Sequence, residues 1–159
     1  MVDVKELEAL LQRLEDVGKR EEACVKATKE VAGRFLERVD KATPVGEYPS
    51  GSGKTGGTLR AGWVGATKED PKPKGKPYPY GKKQPVSKSG DTYTVDLENK
   101  VEYASYVELG HRIMRNKKQI GVVPPKYFVK KTEEAFAPEA NGWVKKVLEK
   151  YLKGVLDGK

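Results

Sequence analysis

The sequence predicts an α+β fold: a small antiparallel sheet flanked by a long N-terminal helix and a C-terminal helix, with a long Pro/Lys-rich arm between two strands. Two patterns carry that expectation. Apolar residues recur at three- and four-residue steps near both ends of the chain, and in the middle they alternate with polar ones. The length sets the scale, because 159 residues that are 34% charged and 36% hydrophobic make one domain, 1–159, with a modest core. A core that thin gains stability from assembly.

Asp3 followed by Glu6 reads as a capping box, and Val4, Leu7, Leu11, Leu14 and Val17 then mark an amphipathic helix. The stripe resumes through Cys24, Thr28, Val31, Phe35 and Val39, so one helix is expected over 1–41, with Gly18 as its break or kink. On that face Cys24 reads as a core thiol. Residues 42–57, which contain Pro44 and a series of glycines, read as a Gly-rich loop.

Over 58–98 two strands are expected. Leu59, Ala61 and Trp63 alternate with Arg60, Gly62 and Val64, and Tyr93, Val95 and Leu97 alternate with Thr92, Thr94 and Asp96. Between them, residues 68–88 hold five prolines and seven lysines against two acids, the composition of an extended basic arm. Such an arm has nothing apolar enough to offset its ordering entropy alone, so it is expected to order only against neighbouring subunits.

Tyr103, Tyr106 and Val107 place a short helix over 101–110, closed by Gly110 as a left-handed C-cap, with Trp63, Tyr103 and Tyr106 forming a core ladder. Residues 111–125 read as a second basic loop. A C-terminal helical region over 126–156 carries Phe128, Phe136, Trp143, Leu148 and Tyr151 and is expected to be interrupted near Pro138 and Gly142.

The chemistry-bearing residues exclude more than they offer. One cysteine and one histidine cannot build structural zinc, and no cofactor is expected. Gly51-Ser52-Gly53-Lys54-Thr55 ends like a phosphate-binding loop, but Tyr48 stands where that loop needs its first glycine, and no buried strand precedes it. His111 has no nucleophile or acid beside it, and Glu102 and Glu108 fall on different helix faces, so no catalytic constellation emerges and no enzyme is expected. No apolar stretch approaches the roughly 20 residues of a membrane span. The chain is expected in the cytoplasm where it is made.

The net charge of +8 is concentrated after the first helix: residues 42–95 hold nine Lys/Arg against four Asp/Glu. That balance permits a non-specific nucleic-acid-binding module that would use the arm and the Arg112–Lys118 loop, a reading that competes with the one below.

Three stretches, Ala42-Thr43-Pro44-Val45-Gly46, Gly57-Thr58-Leu59-Arg60-Ala61-Gly62-Trp63 and Tyr103-Ala104-Ser105-Tyr106-Val107-Glu108-Leu109-Gly110-His111-Arg112, resemble in order and spacing the signature of a tail-component family of tailed phages. The chain departs from it by inserting residues 47–56 and by its lysine-rich arm. The resemblance implies a structural virion protein of the neck or tail-completion type: a hexameric head-tail joining ring that meets the connector, and the tail tube or its terminator, and lets DNA pass unread. It assigns structural roles to Pro44, Leu59, Arg60, Trp63, Tyr103, Ala104, Val107, Glu108 and Gly110. Arg60, on the strand face opposite Trp63, is free to pair with an acid, and Glu108 is the candidate. Lys72, Lys74, Lys82, Lys83, Arg112 and Arg115 are candidate assembly contacts.

Overall fold

A computed structural model of the chain describes residues 3–65 and 85–158. The fold is α+β: α1 (Val4–Asp16), α2 (Arg20–Ala42), α3 (Thr58–Ala61), β1 (Trp63–Gly65), β2 (Ser87–Ser89), β3 (Thr92–Thr94), β4 (Leu97–Asn99), α4 (Ala104–Leu109), β5 (His111–Arg115), β6 (Lys118–Val123) and α5 (Phe128–Leu156). Most of the expected arm, with Lys72, Lys74, Lys82 and Lys83, lies outside the described residues; its last residues, Ser87 and Lys88, belong to β2.

The single helix expected over 1–41 is two. The Asp3 carboxylate caps α1 by accepting from the Lys5 N–H, and Gly18 then takes φ +64°, a left-handed angle that breaks the helical ladder. The reversal brings α1 back over α2 and α5, which buries Leu14 completely. On α2 the buried line runs through Ala23, Ala27, Leu36 and Val39. Cys24, Thr28, Val31 and Phe35 are only half-buried, so Cys24 is at the margin of the core rather than inside it. Burial still pushes its thiol pKa up.

α2 and α5 pack antiparallel, with a core cluster at each end. One joins Leu36 and Val39 to Leu59, Trp63 and Phe128; the other joins Leu14, Ala23 and Ala27 to Leu148 and Leu152. Between the clusters Phe35 meets Phe136 edge-on at 5.7 Å, and Arg38 grips Glu139 with two hydrogen bonds of 3.0 and 2.6 Å. Arg38 holds the Glu139 carboxyl below the usual carboxylate range, so the small stabilisation of this exposed pair is complete above that range and lost as pH falls through the lowered pKa.

α5 runs unbroken through Pro138 and Gly142, against expectation. Pro138 is exposed, so the Glu134 carbonyl that loses its amide partner faces water, while Phe136, two residues earlier on the other side of the helix, is buried against Phe35 of α2.

The expected single sheet is three two-stranded antiparallel ladders, β1-β4, β2-β3 and β5-β6. Leu59, Arg60 and Ala61 form a helical turn rather than a strand, so β1 is only Trp63–Gly65 and pairs Trp63 with Asn99. The second expected strand breaks at Val95 and Asp96, where the chain changes partners from β2 to β4's ladder with β1. The expected basic loop over 111–125 is the β5-β6 hairpin, turned by Asn116 and Lys117 at φ +48° and +61°. Two consecutive positive φ angles are the signature of a type I′ turn, which Asn starts readily and Lys does not advertise.

Replacing Pro138 with Ala restores the missing amide on an exposed face. It should raise stability by about 1 to 3 kcal/mol in urea unfolding; an unchanged midpoint would mean that the proline costs this helix nothing.

Candidate assembly site

The residues of the three signature stretches converge on the facing ends of α2 and α5. Thr43 closes α2: its hydroxyl donates to the Val39 carbonyl at 2.6 Å and accepts from Trp63 Nε1 at 2.7 Å. Both residues are buried, so neither group has water as an alternative. The Trp63 ring stands edge-on to Phe128 at 6.5 Å. Leu59 is buried beside it, and its carbonyl accepts from Asn99 Nδ2 at 2.8 Å, which ties α3 to the end of β4. Pro44 follows Thr43 and leads the chain out of the helix, half-buried.

Arg60 and Glu108 do not pair. Because residues 58–61 are helical, the Arg60 guanidinium points back to α2 and donates to the Lys41 and Thr43 carbonyls at 3.1 and 3.0 Å. Glu108 instead accepts from the Val129 and Lys130 N–H groups at 3.0 and 3.1 Å. Tyr127, the residue before α5, is in the left-handed region and supplies no side-chain cap, so Glu108 caps the helix from across the fold. A cation thus sits at the C-terminus of α2 and a carboxylate at the N-terminus of α5, each on the end that its helix dipole favours.

α4 is fastened to the start of α5 by the Lys126 and Tyr127 N–H groups, which donate to the Val107 and Glu108 carbonyls at 3.1 Å each. Ala104 and Val107 pack on the Trp63 cluster. Gly110 has φ +74° as expected, but ψ 171° takes it out of the helical left-handed region. A side chain there would also meet the Val123 carbonyl oxygen at 2.6 Å.

The core ladder of Trp63, Tyr103 and Tyr106 does not form: Trp63 is 5% exposed, whereas Tyr103 and Tyr106 are 44% and 57% exposed. A six-residue helix has one narrow inner face, and Ala104 and Val107 take it. Tyr106 rests instead near His111, with ring centroids 5.5 Å apart. Leu109, Met114, Ile120 and Val122 are more than half exposed and Ile113 is 40% exposed, so α4 and the β5-β6 hairpin leave several apolar side chains open to solvent. Arg112 and Arg115 stand on β5 within it. Sequence reasoning missed this surface, although the apolar residues between the cations of 112–122 were a usable signal.

Among the described residues, grooves border the helices. One, of about 720 Å³, is walled by α1, α2, α5 and the β3-β4 connection and is largely apolar. The other, of about 1020 Å³ between α2 and α5, carries Lys19, Lys26, Lys29, Arg34, Lys146 and Lys150 against Glu22 and Glu30. Its aromatic faces are already covered by the chain's own cations: Arg34 lies 3.7 Å and Lys146 4.5 Å from the Trp143 ring centre, and Lys26 lies 4.3 Å from that of Tyr151. That leaves no open ring on which a base could stack. Desolvation and the Glu22 carboxylate push the Tyr151 phenol up to about 12.

The Gly51–Thr55 stretch is an exposed turn in which the Lys54 N–H donates to Ser52 Oγ, with no strand before it. Among the described residues no group of His, Cys, Asp and Glu is placed to hold a metal ion, and no helix is long and apolar enough to cross a membrane.

Residues 5–110 match the family described as "Bacteriophage HK97-gp10, putative tail-component". Neither the curated proteins nor the solved structures contain a match.

Removing the cap by Glu108→Ala should cost about 1 to 2 kcal/mol, with Glu108→Gln losing less because one acceptor remains. Thr43→Val, which strands the buried Trp63 N–H, should cost about 1 to 3 kcal/mol, and Trp63→Ala about 3 to 5 kcal/mol. Urea denaturation checks all four; equal losses for Glu108→Ala and Glu108→Gln would remove the capping role.

Proposed function

Because the chain belongs to the HK97-gp10-like family of phage tail components, we propose that it is a structural virion protein of the neck or tail-completion type, one subunit of a hexameric ring that joins head to tail. The match over residues 5–110 carries this reading. The exposed apolar side chains of α4 and the hairpin support it, since large apolar groups left open on a small subunit fit a contact with another chain. In this role the mechanism is geometric. The capped α2-α5 pair is the rigid body, each subunit buries apolar helix and sheet surface inside the ring, and loops reach the connector on one side and the tail tube or its terminator on the other. Lys72, Lys74, Lys82, Lys83, Arg112 and Arg115 serve as assembly contacts, and DNA passes through the channel without being read. No step of this role requires catalysis.

Native mass spectrometry of the purified chain should show a closed homohexamer, and antibody labelling of particles should mark the head-tail junction. A monomer that binds any duplex, with affinity falling steeply as salt rises and no phage protein present, would replace the ring with the nucleic-acid module.

A further inference from the structure

The groove between α2 and α5 gathers charge of one sign from two helices. Lys19, Lys26, Lys29 and Arg34 stand on its α2 side and Lys146 and Lys150 on its α5 side, and among the described residues Glu22 and Glu30 are the only carboxylates on its walls. Glu22 is shared by Lys19 at 3.3 Å and Lys26 at 3.5 Å, and Glu30 is taken by Arg34 at 2.6 Å. Lys29, Lys146 and Lys150 are left facing one another with no described carboxylate from these walls beside them. A protein partner would want the Trp143 and Tyr151 rings as its apolar centre, and those rings are already covered by Arg34, Lys146 and Lys26.

The groove is also turned away from the β ladders. β3 and β4 stand on the side of α2 that carries Cys24, Thr28 and Phe35, and Lys26 and Lys29 fall on the opposite side of that helix. Residues 66–84, outside the description, hold six lysines against two acids, so the charge of the groove opposes their entry. From Lys19 to Arg34 the α2 row covers about 22 Å of helix axis. One strand of a duplex lying along it presents about six phosphates over that length.

We infer that this groove binds the phosphodiester backbone of duplex DNA, whatever its sequence. Lys29, Lys146 and Lys150 meet phosphate oxygens directly, while Lys19, Lys26 and Arg34 divide their contact between phosphate and the two glutamates. Phosphate contacts carry no base information, and because one phosphate is equivalent to the next the duplex slides across them. The inference rests on the ring reading for its setting, in which the α2-α5 face of each copy turns toward the passing DNA; the affinity itself needs no ring.

The full-length chain is titrated with a fluorescent duplex of mixed sequence at several salt concentrations, and native mass spectrometry records its oligomeric state. Lys29→Gln, Lys146→Gln and Lys150→Gln together should lower the slope of log affinity against log salt by about 2 to 3 per bound copy. Arg112→Gln with Arg115→Gln, on the hairpin, should leave that slope as it was. Glu22→Gln with Glu30→Gln should tighten binding, which keeps the inference testable if the triple variant folds poorly. A wild-type slope in the folded triple variant, or unchanged affinity in the glutamate pair, overturns the inference. So does a triple variant that loses binding to poly-glutamate while keeping the duplex, because the ligand is then an acidic protein. A hexamer that binds no duplex keeps the ring and removes this site, whereas a monomer that binds through the groove keeps the site and removes the ring.

Discussion

The buried hydrogen bond from Trp63 to Thr43 joins the last residue before the loop to the first residue of β1, and the arrangement around it follows from the need to close α2 inside the core. A helix leaves its final carbonyls without partners, and here that end lies beside a tryptophan instead of in water. Thr43 covers one carbonyl through its own hydroxyl, and Arg60 covers two more from α3. α3 can do so only as a helical turn, which swings Arg60 toward α2 while Leu59 goes into the core. Asn99 fixes that turn from β4, and Glu108 does for the start of α5 what Arg60 does for the end of α2. The short, irregular elements are thus the terminators of the two long helices.

Signature residues separate accordingly. Leu59, Trp63, Ala104 and Val107 line the core; Arg60 and Glu108 close helix ends; Tyr103 and Tyr106 face outward beside the hairpin. A phage tail component has to hold its own shape and also offer surface to neighbours, and this short stretch of chain does both. The hairpin departs from β4 and α4 at Gly110, where the backbone passes so close to Val123 that no side chain fits.

Helical periodicity made the α+β class and the long helices legible, because Leu7, Leu11 and Leu14 or Leu148 and Leu152 repeat on a face that burial enforces. What was misread has one kind of cause: the deciding partner is remote in sequence. Leu59 to Ala61 alternate like a strand, but the demand of the α2 carbonyls, contributed by residues 17 to 19 positions earlier, makes them a turn. Glu108 was expected to answer Arg60 as an opposite charge, yet two amides more than 20 residues downstream claim it. Pro138 reads locally as a helix breaker, and only its position on the exposed side of a helix packed along its other face makes it tolerable. The hairpin over 111–123 was hidden by its own cations, which dilute the apolar alternation.

Those cations have a further consequence for the free subunit. Each strand of an uncovered hairpin leaves an outer edge of unpaired backbone groups, a template for indiscriminate strand addition. Arg112, Arg115, Lys117 and Lys118 put like charge along both edges, so two hairpins repel before their backbones can zip together. The same residues therefore keep the hairpin from its own kind, and that protection depends on ionic strength: dilute salt preserves the repulsion and concentrated salt weakens it.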